Sequence, residues 1–352
     1  PRPRPRSGPA PRTRAARAAG HRSRGGGGAG GGKTWLALEQ ARRRARAGER
    51  VALLCYSRGL GRYFERIVEQ SPPRPPPPQR RPPHDRPPAC GAPPGAAADP
   101  DYWERRLPLA LGALADARGA ADLFDAVVVD EAQDFGDLWW PSLLRCLRDQ
   151  DSGGLYVFMD DAQRVFPREG RVPLELVPVT LHENLRSTKQ IAQVFGALSP
   201  ERITPRGMEG PPVRVVDVPA TDAVGAADDA VEALLDEGWG SGQLALLATG
   251  RRHPQQVNEV EAGGHAAYWD AFFAEDDVFY GHVLGFKGLE RPVVVLAVNG
   301  VRDVVRAREM LYTGLSRARS LLVVVGDRSW IEEIGGEAVR RRLARAQEWS
   351  PA

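Results

Sequence analysis

Lysine, cysteine and long apolar runs are all scarce in this 352-residue chain. Only three of its 48 basic residues are lysines and the rest are arginines, a bias that suggests a GC-rich coding sequence. The net charge of +3 is not by itself a sign of nucleic-acid binding, because residues 1–24 contribute eight arginines and no acidic residue, which leaves the rest of the chain at −5. The three cysteines show no CxxC spacing, which excludes a disulfide framework and a cysteine zinc site and fits a reducing, cytoplasmic compartment.

No apolar stretch approaches the roughly 18 residues that a membrane-spanning helix needs, so the sequence predicts a soluble protein. Apolar residues make up 42% of the chain and charged residues 26%, which excludes disorder throughout and allows a sizeable core. The length suits two ordinary domains or one large α/β domain.

Two segments lack the composition of folded protein. Residues 1–24 hold eight arginines and no acidic residue, and residues 71–90 hold ten prolines. We expect a disordered arginine- and proline-rich tail at 1–24 and an irregular proline-rich segment over 71–98. Three interpretations stay open: a solvated or polyproline linker, a transit peptide for the first segment, or translation of GC-rich DNA in a wrong reading frame.

Elsewhere, short β-branched runs alternate with stretches of helical character. Strands are predicted at residues 51–55, 126–129, 155–159, 213–218, 243–248, 293–298 and 321–325. Helices are predicted at residues 34–48, 58–69, 102–117, 138–149, 187–198, 222–237, 307–318 and 328–347. Near-continuous apolar strands separated by helices indicate an α/β fold with two parallel sheets, in a first domain over residues 25–175 and a second over residues 176–347.

A glycine-rich loop at residues 27–34 (GGAGGGKT) fits the phosphate-loop pattern G-x-x-x-x-G-K-[ST]. In this pattern backbone N–H groups wrap the phosphates, Lys33 reaches the β- and γ-phosphates, and the Thr34 hydroxyl binds Mg²⁺. The loop glycines expected at the phosphates are Gly27, Gly30 and Gly32. A flexible linker is the alternative, because seven of the eight residues 25–32 are glycine. A strand should precede such a loop, and residues 15–24 do not supply one.

A second element reads VVVDEAQDF over residues 127–135. Its apolar run places Asp130 and Glu131 at the carboxyl end of a strand, where open α/β sheets bind ligands. Asp130 can hold Mg²⁺ through water, and Glu131 can polarise an attacking water as a base. The alternative is a strand end followed by a solvated acidic turn.

Four further motifs follow in a fixed order. They are FMDDAQ at residues 158–163, LHENLRST at 181–188, FKGLE at 286–290 and LYTGLSRAR at 311–319. Together with the phosphate loop and the Asp-Glu pair, they resemble the motifs of UvrD/Rep-like superfamily 1 helicases, especially the compact ones fused to a nuclease-related domain. Six motifs in the family's order are not a plausible accident.

The resemblance implies two RecA-like P-loop NTPase domains that bind MgATP at the seam between them. Gln163 is then the sensor of the γ-phosphate, and Glu290, with Gly288 in the same motif, lies near the ribose. Arg186 and Arg317 are the arginine fingers that the second domain inserts to neutralise charge on the transferred phosphoryl group.

The motif spacing is short for this family. Lys33 and Asp130 are 97 residues apart, and Arg186 and Lys287 are 101 apart, whereas larger members insert whole helical subdomains in both intervals. We therefore expect short or absent helical insertions. The motifs that the family carries upstream of the phosphate loop and before the Asp-Glu pair are missing, which implies a truncated relative with disrupted segments.

The resemblance also implies a single-stranded DNA partner, with RNA left open. Tyr56, Ser57 and Arg58 occupy the position of motif Ia, and Phe166 lies where the family uses an aromatic ring against a base. Core packing is the alternative for Phe166. Two tryptophans after the Asp-Glu motif, Trp139 and Trp140, are predicted to pack against the core.

The leading hypothesis is an ATP-dependent DNA helicase or translocase that moves 3′ to 5′, with ATP and Mg²⁺ as its cofactors. Two alternatives keep the fold. One is a catalytically impaired nucleotide-binding remnant or pseudogene product, which a missing strand before the phosphate loop would favour. The other is a non-catalytic nucleic-acid-binding module.

Overall fold

The structure is a computed structural model, and it describes residues 22–70, 100–166 and 176–351. Two parallel β-sheets organise these residues, so the predicted α/β fold class is confirmed. The expected disorder of residues 1–21 and 71–98 falls outside the described residues. Within the described ranges, no helix combines the length and the apolar character needed to cross a membrane.

The first sheet has five strands in the order β2-β3-β4-β1-β5, and all its pairings are parallel. The strands are β1 (Arg22–Gly27), β2 (Val51–Leu54), β3 (Ala126–Val129), β4 (Gly154–Phe158) and β5 (Val177–Leu181). The helices of this part are α1 (Lys33–Arg46), α2 (Arg58–Glu69), α3 (Leu107–Asp116) and α4 (Trp139–Arg145). Strand β5 follows the predicted split near residue 175 yet pairs with β1, so the chain leaves the first sheet after Leu181.

The interior strand β3 shows why this sheet is buried on both faces. Side chains alternate across a strand, and here both sets are apolar. Val127 and Val129 pack in the cluster that contains Trp140 of α4, whereas Ala126 and Val128 pack in the cluster that contains Ala37 of α1.

Strand β1 corrects the expectation that no strand precedes the phosphate loop. It also corrects the tail prediction for residues 22–24, which are part of this strand. The sequence RSRGGG has low strand propensity, but β1 is hydrogen-bonded between β4 and β5, which supply ladder partners on both sides. Gly25 is needed for close packing, because a Cβ there would lie 2.7 Å from Cδ1 of Phe158.

The second sheet has six strands in the order β10-β9-β11-β12-β8-β13, again all parallel. The strands are β8 (Arg214–Asp217), β9 (Leu244–Ala248), β10 (Phe279–His282), β11 (Arg291–Val298), β12 (Ala318–Gly326) and β13 (Gln347–Glu348). Along the chain, the short paired strands β6 (Glu183–Asn184) and β7 (Thr204–Pro205) come after β5 and before β8. We call residues 22–181 the first half and residues 182–351 the second half.

The helices of the second half are α5 (Lys189–Gly196), α6 (Ala223–Asp236), α7 (Pro254–Ala274), α8 (Ala307–Leu315) and α9 (Arg328–Leu343). Four of them match predicted helices within a few residues at each end, and α7 was not predicted. Helix α7 contains Gly263 and Gly264, and the backbone at Gly264 has a φ of 71°. This kink interrupts the apolar periodicity from which a helix is recognised.

Candidate functional site

The loop of residues 27–32, in which the sequence predicts a phosphate loop, connects β1 to α1. Gly27, Gly30 and Gly32 all have positive φ angles, of 130°, 75° and 86°. At Gly27 a Cβ would also lie 2.1 Å from the carbonyl oxygen of Leu181, whereas the space in front of Gly32 is open. These backbone angles and close contacts favour glycine at the three positions.

The Lys33 side chain folds back into this loop. Its Nζ donates to the carbonyl oxygens of Gly27 at 2.6 Å and Gly28 at 2.8 Å, and it forms an ion pair of 3.2 Å with Asp160. The ammonium group therefore lies at the loop centre, the position from which it can reach bound phosphates.

Asp130 follows β3 directly and is almost fully buried. Its Oδ1 accepts a hydrogen bond of 3.0 Å from the Glu131 N–H, while its Oδ2 is buried and has no hydrogen-bond partner among the described residues. Burial and the neighbouring Glu131 charge raise the pKa of Asp130 to about 7, against the opposing effects of Thr34 and Lys33. A buried carboxylate beside the Thr34 hydroxyl is a donor set that fits an Mg²⁺ ion bound to phosphates.

No cluster of three or more His, Cys, Asp or Glu side chains in the described ranges could hold a metal ion by itself. A magnesium ion at this place would depend on phosphate oxygens and water for most of its ligands. That is the usual arrangement for Mg²⁺ in nucleotide sites.

Glu131 is one of two non-glycine residues with positive φ in the described ranges, at 50°. Its carboxylate accepts a hydrogen bond of 2.5 Å from Nε2 of Gln133. Burial acts to raise the pKa of Glu131, but the positive charges of Lys287, Lys33 and Arg317 outweigh it and hold that pKa below its usual value. Glu131 is thus ionised at neutral pH, as a base must be.

Gln133 is a residue that the sequence analysis did not single out. Besides its bond to Glu131, it accepts a hydrogen bond of 3.0 Å from the backbone N–H of Asp160. The Asp-Glu motif and the FMDDAQ motif are therefore joined through this side chain.

Gln163 and Arg317 meet across the two halves. The Gln163 side chain donates to Oδ2 of Asp160 at 2.6 Å and accepts from Nη2 of Arg317 at 3.2 Å. Arg317 is 1% exposed and also donates to the carbonyl oxygen of Thr313 at 2.8 Å. Burial and the neighbouring Arg186 lower the pKa of Arg317 to about 10, which leaves it charged at neutral pH.

Arg186 lies beside Arg317. It forms an ion pair of 3.2 Å with Glu290 and donates to the carbonyl oxygen of Ser316. Glu290, predicted near the ribose, is engaged by Arg186 and by Arg319, whose Nη1 is 3.6 Å away. Gly288 has a φ of 78° and packs against Leu60, where a Cβ would lie 2.7 Å from a leucine methyl group.

The predicted nucleic-acid residues lie together. The Tyr56 ring is 5.9 Å from the Phe166 ring and also packs near Trp103, Phe135 and Trp139. Phe166 is half-buried, so part of its ring contributes to this aromatic cluster.

Trp139 and Trp140 are buried, and their predicted core packing is confirmed.

Ser57 and Arg58 begin helix α2. The Ser57 hydroxyl caps this helix by accepting a hydrogen bond of 3.4 Å from the Leu60 N–H. Arg58 is partly buried, and burial together with the nearby Arg252 lowers its pKa. Ser57 therefore has a local structural role as the cap of α2.

Two second-half residues that the sequence analysis did not single out contact the phosphate loop. The Tyr312 hydroxyl accepts a hydrogen bond of 2.7 Å from the Ala29 N–H, and Nδ2 of Asn184 donates to the Ala29 carbonyl oxygen at 2.8 Å. Both lie inside motifs that the sequence shows, but their contacts depend on the packing of the two halves.

Comparison with known proteins gives one family and several distant structures. Residues 282–325 match the family described as the UvrD-like helicase C-terminal domain. No curated protein matches the chain. Similar solved structures are arterivirus nonstructural protein 10, a helicase, at 14% identity and a TM-score of 0.45, and its complex with DNA at 13% and 0.44. Another is the helicase of PRRSV at 13% identity and a TM-score of 0.43.

These structures are too distant to indicate a function for this chain. They align over 91%, 91% and 88% of it, and it spans 63%, 64% and 54% of their lengths. The family match is more specific, because it contains Lys287, Gly288, Glu290 and Arg317. The resemblance of this chain to UvrD/Rep-like superfamily 1 helicases is thereby confirmed through its UvrD-like helicase C-terminal segment.

Proposed function

We propose that this chain is an ATP-dependent DNA helicase or translocase of the UvrD/Rep-like type. One observation carries the proposal: Lys33 at the end of the phosphate loop pairs with Asp160, Gln163 bonds to the same Asp160, and Arg317 of the second half reaches this network through Gln163. Catalytic groups from both halves thus converge on one site.

In this proposal the phosphate loop and Lys33 bind the phosphates of ATP. Thr34 and Asp130 hold Mg²⁺, which when bound neutralises charge on the phosphate oxygens. The Glu131 carboxylate accepts the proton of the attacking water, and Gln163 lies beside the γ-phosphate. Arg186 and Arg317 stabilise charge on the transferred phosphoryl group.

Single-stranded DNA is the proposed track, held by the surface of Tyr56, Arg58 and Phe166. An aromatic face stacks on any base, and arginine binds phosphates, so this surface suits binding without sequence preference. Movement from 3′ to 5′ and a cytoplasmic location complete the proposal.

The alternative of an impaired remnant would be favoured by a missing strand before the phosphate loop. Strand β1 occupies that position, and it delivers Gly27 to the start of the loop. We therefore propose an active enzyme rather than a remnant.

The test is ATP hydrolysis with and without a single-stranded oligothymidylate, in the parent chain and in Lys33→Ala. We expect DNA-stimulated hydrolysis in the parent and its loss in the variant. The matched control is Lys189→Ala, because Lys189 lies on α5 and pairs with the exposed Glu209. DNA binding with no hydrolysis in either protein would instead indicate a non-catalytic binding module, and nucleotide binding alone would indicate a remnant.

A further inference from the structure

Lys287 is a fully buried cation whose partners all lie in the other half of the molecule. Its Nζ donates to both carboxylate oxygens of Asp134, at 2.6 and 2.7 Å, and to the carbonyl oxygen of Gln163 at 2.9 Å. Lys287 is 0% exposed and Asp134 is 1% exposed. All three ammonium protons are thus used in joining the second half to the first.

The same residue also touches the proposed nucleic-acid surface. The Ser57 hydroxyl donates to the Lys287 carbonyl oxygen at 3.2 Å, and the Lys287 Nζ lies 5.7 Å from the centre of the Phe166 ring. A movement of Ser57 or Phe166 on DNA binding therefore acts directly on Lys287.

On its other side Lys287 fixes Gln163. Lys287 binds the backbone carbonyl of Gln163, while Arg317 and Asp160 bind its side chain. Asp160 in turn pairs with Lys33 of the phosphate loop. A continuous chain of polar contacts therefore runs from Ser57 through Lys287 and Gln163 to the phosphate loop.

A buried ion pair of this kind has two states rather than a range of intermediate ones. Separating Lys287 from Asp134 leaves two uncompensated charges in an apolar environment, unless the two halves open enough for water to enter. The pair is therefore either made, with the halves closed, or broken, with the halves open. An element with two discrete states can couple two sites when each site biases its equilibrium.

We propose that Lys287 is the positioning residue that couples single-stranded DNA on the Tyr56, Arg58 and Phe166 surface to the ATP site, through its bonds to Asp134 and Gln163. DNA favours the closed state in which this ion pair is made, and the closed state holds Gln163 in place against the phosphate loop. This inference rests on the proposed function. It names Lys287 as the residue through which bound DNA regulates ATP hydrolysis.

The test compares four variants. Lys287→Met removes the charge and keeps the chain length, and Lys287→Arg keeps the charge. The double variant Asp134→Asn, Lys287→Met removes both charges, so no buried carboxylate is left unpaired to prevent folding. The matched control is Arg291→Met, because Arg291 is also a buried cation but its partners, Glu275 and the Phe272 carbonyl, belong to the second half.

Two coupling measurements are made on each protein. The first is the ratio of ATP hydrolysis with and without oligothymidylate. The second is the affinity for that oligonucleotide with and without a non-hydrolysable ATP analogue and Mg²⁺. We expect both ratios to fall by about tenfold in Lys287→Met and in the double variant, with partial rescue in Lys287→Arg and parent ratios in Arg291→Met. Affinity for the ATP analogue alone should change much less.

A third measurement does not depend on activity. Hydrogen exchange of the free protein should become faster at residues 57–60 and 160–166 in Lys287→Met and in the double variant, and not in Arg291→Met. Parent ratios in both Lys287→Met and the double variant, or equal losses in Arg291→Met, would overturn the proposal. Unchanged exchange at both segments would do the same.

The results that would refute the proposed function differ from those that would refute the role of Lys287. A parent that binds neither nucleotide nor DNA refutes the helicase assignment. In that case the hydrogen-exchange result alone decides whether Lys287 holds the two halves closed. A parent with DNA-stimulated hydrolysis that persists in the variants refutes only the role of Lys287.

Discussion

The hydroxyl of Tyr312 accepts a 2.7 Å hydrogen bond from the backbone N–H of Ala29, so helix α8 of the second half closes over the phosphate loop of the first. A Cβ at the adjacent Gly28 would lie 2.4 Å from Ile203, another second-half residue. The amide of Ala29 belongs to the set of N–H groups with which such a loop binds phosphate oxygens. If the loop binds ATP as proposed, Tyr312 and the nucleotide compete for one donor.

Tyr312→Phe should increase nucleotide affinity by about 3- to 10-fold, because it removes the competing acceptor and leaves a buried N–H that phosphate can satisfy. Binding of a fluorescent ATP analogue to the two proteins measures this change. Tyr268→Phe is the control, since Tyr268 is an equally buried tyrosine whose hydroxyl bonds to Tyr280, away from the loop. Equal affinity in Tyr312→Phe and the parent would show that the hydroxyl does not compete.

Glu131→Gln should lower DNA-stimulated hydrolysis by about 10²–10⁴-fold and leave MgATP binding within a few-fold of the parent. The substitution keeps the size of the side chain and an oxygen that can accept from Gln133, but it removes the base. Single-turnover hydrolysis and equilibrium binding separate the two effects. Glu209→Gln, at an exposed site, is the control. Hydrolysis at the parent rate would exclude Glu131 as the base.

Arg186→Ala and Arg317→Ala should each lower kcat by about 10² or more, and the double variant should lose much less than the product of the two. Two cations that act on one transition state are not additive. Arg302→Ala is the control, since Arg302 is an exposed arginine in the loop after β11. Thermal unfolding must be followed as well, because Arg317 is buried and hydrogen-bonded. An unchanged kcat in both single variants would refute a site shared by the two halves.

The stability of the folded chain should fall as the pH decreases from about 6.5 towards 4, in part because of His282. Burial, together with Arg252 and Arg302, lowers the pKa of His282 to about 4. Its Nδ1 accepts a hydrogen bond from the Leu284 N–H, and its Nε2–H donates to the Gly250 carbonyl oxygen. The folded state therefore binds fewer protons than the unfolded state in this range, so acid favours unfolding.

The measurement is urea unfolding of the parent and of His282→Gln at pH 7 and pH 5. The parent should lose about 1–2 kcal/mol more than the variant over this interval, because only the parent carries the depressed histidine. Equal losses would show that His282 titrates normally in the folded chain.

Much of the fold is fixed by local sequence. Continuous apolar runs produced β3 and β11, because a strand covered on both faces needs apolar side chains at every position. Ser57 caps α2 by a bond within its own turn. The glycines of the loop at residues 27–32 could also be located from the sequence. A backbone with positive φ favours glycine, and Gly27, Gly30 and Gly32 all have positive φ.

Tertiary structure alone decided the rest. Strand β1 has no apolar pattern of its own and forms only because β4 and β5 supply hydrogen-bond partners on both sides. The Tyr312–Ala29 and Lys287–Asp134 contacts join residues 283 and 153 positions apart, respectively. No periodicity or propensity encodes such a pairing, because the partners meet only when two halves, each folded around its own sheet, pack together, and burial then makes it costly to leave either partner unpaired.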